Sequence, residues 1–260
     1  GLAALIATGF GVFLTNTMSA ADLQAWGWRI PFAFGLLIGP VGYYVRSRMA
    51  ETPEFVEAGA SPAPMRDLLV NQWDRLLLAT GAVVASTSAQ YMIVYMPTYA
   101  IRELHLSQSI GFTAAVLAAA LQTLVVPFVG IWVDKVGQTP VMIGAAVLFV
   151  VTAYPAFALL GANVSLAVLV AMVCWLSLLK SFYSGALPSL MARVFPTSTR
   201  VSGMSLSYNA GVAIFGGFAP FFAQSLIDLT GSKLAPSYYM VGTALLSLAA
   251  IVTIRQRYRL

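Results

Sequence analysis

Eight predominantly apolar runs constrain this chain more than anything else in it: Gly1 to Met18, Trp28 to Tyr44, Leu76 to Ala100, Gln108 to Trp132, Pro140 to Leu160, Ser165 to Met191, Gly203 to Ile227 and Tyr238 to Ile254. A helix needs roughly 20 such residues to cross the hydrocarbon core of a bilayer, and a spanning helix satisfies its own backbone polar groups. The expected fold class is therefore an all-α polytopic membrane protein with about eight transmembrane helices. Composition agrees, since only 9% of the residues are charged and the mean hydropathy is +0.84, whereas a soluble domain carries about a quarter charged residues.

The longest hydrophilic interval, Val45 to Arg75, holds RSRMAETPEF and then AGASPAP, whose breakers mark a flexible linker. It separates two runs from six, so the expected units are residues 1–46, a central loop over 47–75, and a six-helix unit over 76–260. The first run lacks the basic flank and cleavage site of a signal peptide; beginning without Met inside an apolar run, the chain is expected to be a fragment.

Lys and Arg in short loops set orientation. The loops after the second, fourth and sixth runs, with the tail, hold Arg46, Arg48, Arg66, Arg75, Lys135, Arg193, Arg200, Arg255, Arg257 and Arg259; the opposite side holds Arg29, Arg102 and Lys233. Ten against three puts the central loop and the C-terminus in the cytoplasm. The net charge of +5 comes from cations spread singly over these loops, which argues against a nucleic-acid partner.

Lys180 is the outlier. It lies 13 residues before Arg193 and 17 after Asn163, so at about 1.5 Å per residue it stands deep in the membrane from both sides. A cation there costs at least about 2.5 kcal/mol and should face the bundle or a water-filled cavity. Ser177, Ser181 and Ser184 share its stripe. Two readings remain open: Lys180 lines a solute path, or it pairs structurally with a carboxylate elsewhere in the protein. Gln90 and Tyr91, which recur with Thr87, Tyr95 and Thr98 at helical spacing, Gln122, and Asn209 with Ser205 and Tyr208, are the other candidate binding residues.

All nine carboxylates fall in loops or at predicted helix ends, so no proton-relay acid is evident in a span. The single Cys174 and single His105 offer no metal or cofactor cluster. No nucleophile and base pair or catalytic motif is present, and an enzyme is not expected.

Several stretches carry a resemblance. GIWVDKVGQTP, over Gly130 to Pro140, resembles the signature loop of the major facilitator superfamily, with Gly130, Asp134, Lys135 and Gly137 in place. ETPEF, FPTSTRVSG with Arg200, YMPTYAIRELHLSQS, SLSYNAGVAIFGGFAPF and TGSKLAPSYYM together resemble the metabolite:proton symporter group, which includes citrate, 2-oxoglutarate, shikimate and proline/betaine permeases. That resemblance implies a twelve-helix bundle in a bacterial cytoplasmic (inner) membrane, of which these runs would be helices five to twelve. The missing N-terminal helices would then be a partner for this part. It implies solute import with protons by alternating access, and it makes the Gly130 to Pro140 loop and Arg200 gating elements. Gln138 and Thr139 stand where the family usually has two cations, which suggests a weaker latch; Asp134 is expected to meet a neighbouring helix N-terminus. The expected solute is a small organic anion such as citrate or another di- or tricarboxylate. A proline/betaine-type zwitterion is the alternative, and a channel or non-transporting receptor is the rival from another class.

Overall fold

The structure is a computed structural model that describes residues 2–48 and 64–259. Residues 49–63 of the central interval, ETPEF among them, lie outside the described residues. Helices account for nearly everything else: α1 (Leu2–Thr17), α2 (Ala20–Ala25), α3 (Ile30–Gly35), α4 (Ile38–Arg48), α5 (Pro64–Asn71), α6 (Trp73–Arg102), α7 (Gln108–Val136), α8 (Gln138–Ala162), α9 (Leu166–Val194), α10 (Arg200–Gly211), α11 (Ala219–Thr230) and α12 (Ala235–Tyr258). A π-helical turn, Val212–Gly217, links α10 to α11, so these form one span.

Six helices among the described residues are long and apolar enough to cross a membrane, and they coincide with the last six apolar runs. The first run forms a short helix, and the second differs from the expectation of a full span. Helix α1 has 16 residues, about 24 Å at 1.5 Å per residue and so shorter than the hydrocarbon core. The run from Trp28 is broken into a 3-10 turn (Gly27–Arg29), α3 and α4. Its sequence explains this: Gly27, Pro31, Gly35, Gly39 and Pro40 interrupt it, and glycine and proline both weaken a helix interior. Phe32, Leu36 and Ile38 on these pieces are largely exposed.

Helices α6 and α9 organise the bundle. Helix α6 packs against α7, α9, α10 and α12, while α9 packs against α6, α7 and α8; α1 lies along α7. Two apolar clusters fill the interior. One joins Met96, Tyr99, Phe149, Phe157, Leu169 and Leu176, and the other Leu68, Met142, Tyr183, Leu190, Phe195 and Ile254. Between them, at mid-height on α6, α9 and α12, runs a belt of buried polar residues that includes Ser86, Thr87, Lys180, Ser181 and Ser247.

Small residues bring the helices together. Ser247 on α12 donates to the Gly81 carbonyl at 2.6 Å and accepts from the Ala85 amide at 2.7 Å. A Cβ on Gly81 would stand 2.8 Å from the Cβ of Ala250. Close backbone approach supplies the dispersion and hydrogen bonding that hold helices together in lipid. Gly81→Leu is expected to separate α6 from α12 and cost about 1–3 kcal/mol, read as a lower melting temperature of the detergent-solubilised protein.

Each end of the bundle is polar. At one, Arg257 pairs with Asp74 at 2.8 Å, the Tyr258 hydroxyl donates to the same carboxylate, and Arg75 donates to the Val194 carbonyl. At the other, Lys233 donates to the Glu103 carbonyl and Tyr95 donates to Gln224 at 2.8 Å.

Candidate functional site

A cavity of about 560 Å³ opens at the polar belt. Helix α6 lines it with Thr87, Gln90, Tyr91 and Val94, which share one face because they recur three and four residues apart. Helix α9 contributes Lys180, Ser184, Leu187 and Pro188 by the same periodicity, and Tyr208 and Val212 close the third side. Its volume falls in the range of small-molecule sites, roughly 300–1,000 Å³.

Lys180 sits at the midpoint of α9, fourteen residues from Leu166 and fourteen from Val194. It is 9% exposed, and no described residue gives its ammonium a hydrogen bond or ion pair. Ser184 lies one turn further along α9 and shares a 3.0 Å hydrogen bond with Ser86 of α6, tying the two main walls together. The chemistry on offer is a cation, an amide, phenols and hydroxyls in a site without a lining carboxylate, which suits an anion bearing several oxygens.

The structure divides the predicted residues. Lys180, Gln90, Tyr91 and Ser184 meet in this cavity. Gln122 does not; it faces a smaller adjoining chamber. Asn209 is placed on an exposed surface of α10, with its amide donating to the Ser205 carbonyl at 2.8 Å, while its neighbour Tyr208 lines the cavity instead. One residue along a helix is a rotation of about 100°, which accounts for that difference. The serine stripe is also divided: Ser181 is fully buried and donates back to the Ser177 carbonyl at 2.8 Å. Ser86, Val94 and Val212 were missed; Ser86 is identifiable only through its cross-helix bond.

The π-helical turn stands directly behind the cavity wall. The freed Phe215 carbonyl accepts from Tyr239 and, at 3.4 Å, from Ser88. Gly216 in the same turn lies against Thr87 and the Tyr91 ring. Single π turns recur at functional sites because they displace the helix face by one residue.

The signature segment is mostly helical rather than an open turn. Helix α7 continues through Gly130, Asp134 and Lys135 to Val136, and α8 begins at Gln138, leaving Gly137 alone to reverse the chain. Asp134 and Lys135 are exposed, and no hydrogen bond or ion pair joins Asp134 to a helix N-terminus among the described residues. Arg193 instead donates to Gln138 at 3.1 Å, and Arg200, at the start of α10, donates to Thr197 at 3.2 Å. Gly137 has φ 97° and ψ 154°, a region essentially reserved for glycine, so Gly137→Ala is expected to cost about 1–3 kcal/mol, measurable as a fall in melting temperature.

A bundle of membrane-length helices around a solute-sized cavity defines a class, the multi-pass membrane proteins. Residues 55–256 match the family described as sugar (and other) transporter. The chain is 33% identical over 260 residues to the citrate-proton symporter of Klebsiella pneumoniae, covering 98% of this chain and 58% of that protein. It is 30% identical to the ectoine/proline transporter of Corynebacterium glutamicum, over 87% of this chain and 48% of that protein. With the proline/betaine transporter of Escherichia coli (strain K12) it shares 29% identity, over 97% and 53%. The chain thus spans about half the length of these relatives. No solved structure matches it. The chain belongs to the sugar (and other) transporter family of the major facilitator superfamily.

Proposed function

We propose that the protein to which this chain belongs is a secondary active transporter that imports a small organic anion, citrate or another di- or tricarboxylate, together with protons. The observation that carries the reading is the Lys180 ammonium, buried at mid-span and unpaired among the described residues, facing a cavity of about 560 Å³. A solute carboxylate neutralises that cation only while bound, which favours loading over an empty site. Gln90, Tyr91 and Ser184 then supply hydrogen bonds to the remaining oxygens, and Leu187, Pro188 and Val94 face the carbon skeleton.

Alternating access places such a site between two halves that rock about it. In this reading residues 1–46 end the N-terminal half, 47–75 form the central cytoplasmic loop, and 76–260 form the C-terminal half. The Asp74, Arg193 and Arg257 end of the bundle is the cytoplasmic one, and the membrane is a bacterial inner membrane. Gly137 and Arg200, with Asp134 and Lys135, act at that end as gating elements.

A zwitterion of the proline or betaine type is the second reading, favoured by the relatives that carry those names. Its carboxylate would also meet Lys180, and its cationic end would have the aromatic faces of Tyr91 and Tyr208, since no carboxylate among the described residues lines the cavity. That imbalance ranks the anion first. The test is uptake by the natural full-length protein in proteoliposomes. Saturable carboxylate uptake that collapses when a proton uncoupler is added supports the proposal; an ohmic, non-saturating current, or uptake of betaine alone, contradicts it.

A further inference from the structure

We infer that Gln122 and Ser177 form a second subsite beside the Lys180 cavity, one that hydrogen-bonds an uncharged hydroxyl group of the transported solute; this rests on the carboxylate reading above. The two residues line a chamber of about 130 Å³ whose wall includes Gln90 and Val94, and these two also line the main cavity. The two spaces are therefore neighbours through a shared wall of α6.

Gln122 and Ser177 are both buried and unmatched among the described residues. Ser177 is fully buried and its hydroxyl has no hydrogen-bond partner. Gln122 is 4% exposed, and no described residue bonds its amide. Apart from Gln90, the rest of the described wall is apolar, including Ile93, Pro97 and Phe112. A buried donor or acceptor left unmade costs about 1–3 kcal/mol, so a hydrogen-bonding occupant completes this chamber where an apolar one does not.

The chemistry narrows that occupant. Among the described residues no ionisable side chain lines the chamber, and an unpaired charge in such surroundings is far costlier than a neutral group. An amide beside a hydroxyl offers both a donor and an acceptor, which is what an alcohol needs. At about 130 Å³ the chamber admits a group rather than a whole solute. Ser177 precedes Lys180 by three residues on α9, about 4.5 Å along the axis, a spacing that a short hydroxycarboxylate bridges with its acid group on Lys180.

The test compares uptake of citrate with uptake of propane-1,2,3-tricarboxylate, the same three acids without the hydroxyl, by the natural full-length protein in proteoliposomes. The wild type is expected to prefer citrate. Ser177→Ala removes only an unpartnered hydroxyl and so preserves folding; it and Gln122→Leu are each expected to lower that preference roughly fivefold, the size of one neutral hydrogen bond. If Gln122→Leu fails to fold, Ser177→Ala decides alone. Equal handling of the two solutes by the wild type, or an unchanged preference in the variants, overturns the subsite and leaves the chamber a place for water. A Lys180→Met arm separates the two levels. Loss of both solutes in that arm, with the preference intact in the others, removes only the subsite. Unchanged uptake of both in that arm, or no uptake by the wild type, removes the carboxylate reading itself.

Discussion

Lys180→Met is expected to reduce carboxylate uptake roughly 10- to 150-fold while leaving the melting temperature unchanged or raised, because the lost charge-assisted contacts are worth roughly 1.5–3 kcal/mol. Methionine fills a similar volume and carries no charge, so the cavity wall stays closed and only the electrostatics change. The direction of the stability change is the informative part. Lys180 is buried at the centre of a 29-residue helix with no described partner, and a cation in that position costs at least about 2.5 kcal/mol. Removing it relieves the cost. A structural ion pair gives the opposite sign, since deleting the cation strands a buried carboxylate and destabilises by about 3–5 kcal/mol. Uptake and melting temperature, measured on the same variant, therefore distinguish a solute anchor from a structural pair.

The second large effect is expected at Gly216. A Cβ there would lie 2.6 Å from the Thr87 hydroxyl oxygen and 2.8 Å from the Tyr91 ring, closer than real side-chain carbons approach. Both neighbours line the main cavity, so the displaced atoms have to move into the solute space. The π turn has little freedom to retreat, because Tyr239 holds its Phe215 carbonyl from behind. Gly216→Ala is expected to cost about 1–3 kcal/mol of stability and to raise the solute KM by about tenfold, roughly 1.4 kcal/mol. Gly217 supplies the control: a Cβ there meets only the Val212 carbonyl oxygen, at 3.9 Å, and Gly217→Ala should stay within about 0.5 kcal/mol of the wild type. Equal behaviour of the two variants would remove the π turn from the account of the site.

Long-range order was legible where the physics is local. Spans α6 to α12 are written in long apolar runs, and the depth of Lys180 follows from counting to Arg193 and Asn163. The broken second run also carried its signal, in Gly35, Gly39 and Pro40, but a purely hydrophobic criterion passes over such breakers. Azimuth was harder to read. Whether Tyr208 or Asn209, or Ser184 or Ser181, faces the cavity depends on how α9 and α10 turn toward α6, and that is set by packing partners distant in sequence, such as Ser86 with Ser184. The π turn was invisible because it breaks the 3.6-residue period on which the reading relied. The signature segment looked like an open loop because Asp134 and Lys135 are charged; a cation in the last turn of α7 is in fact compatible with the helix dipole, and the reversal is concentrated in Gly137.

A solute carboxylate is expected to occupy the space between α6 and α9 at Lys180. The direct measurement is alkylation of a Ser184→Cys variant, in a Cys174→Ser background, by a small thiol reagent in the presence and absence of solute. Ser184 lines the cavity one turn from Lys180. The account predicts that citrate or another transported carboxylate slows the reaction with a half-maximal concentration near its transport KM, and that the protection disappears when Lys180→Met is added. An alkylation rate indifferent to a carboxylate that the same protein transports would contradict it.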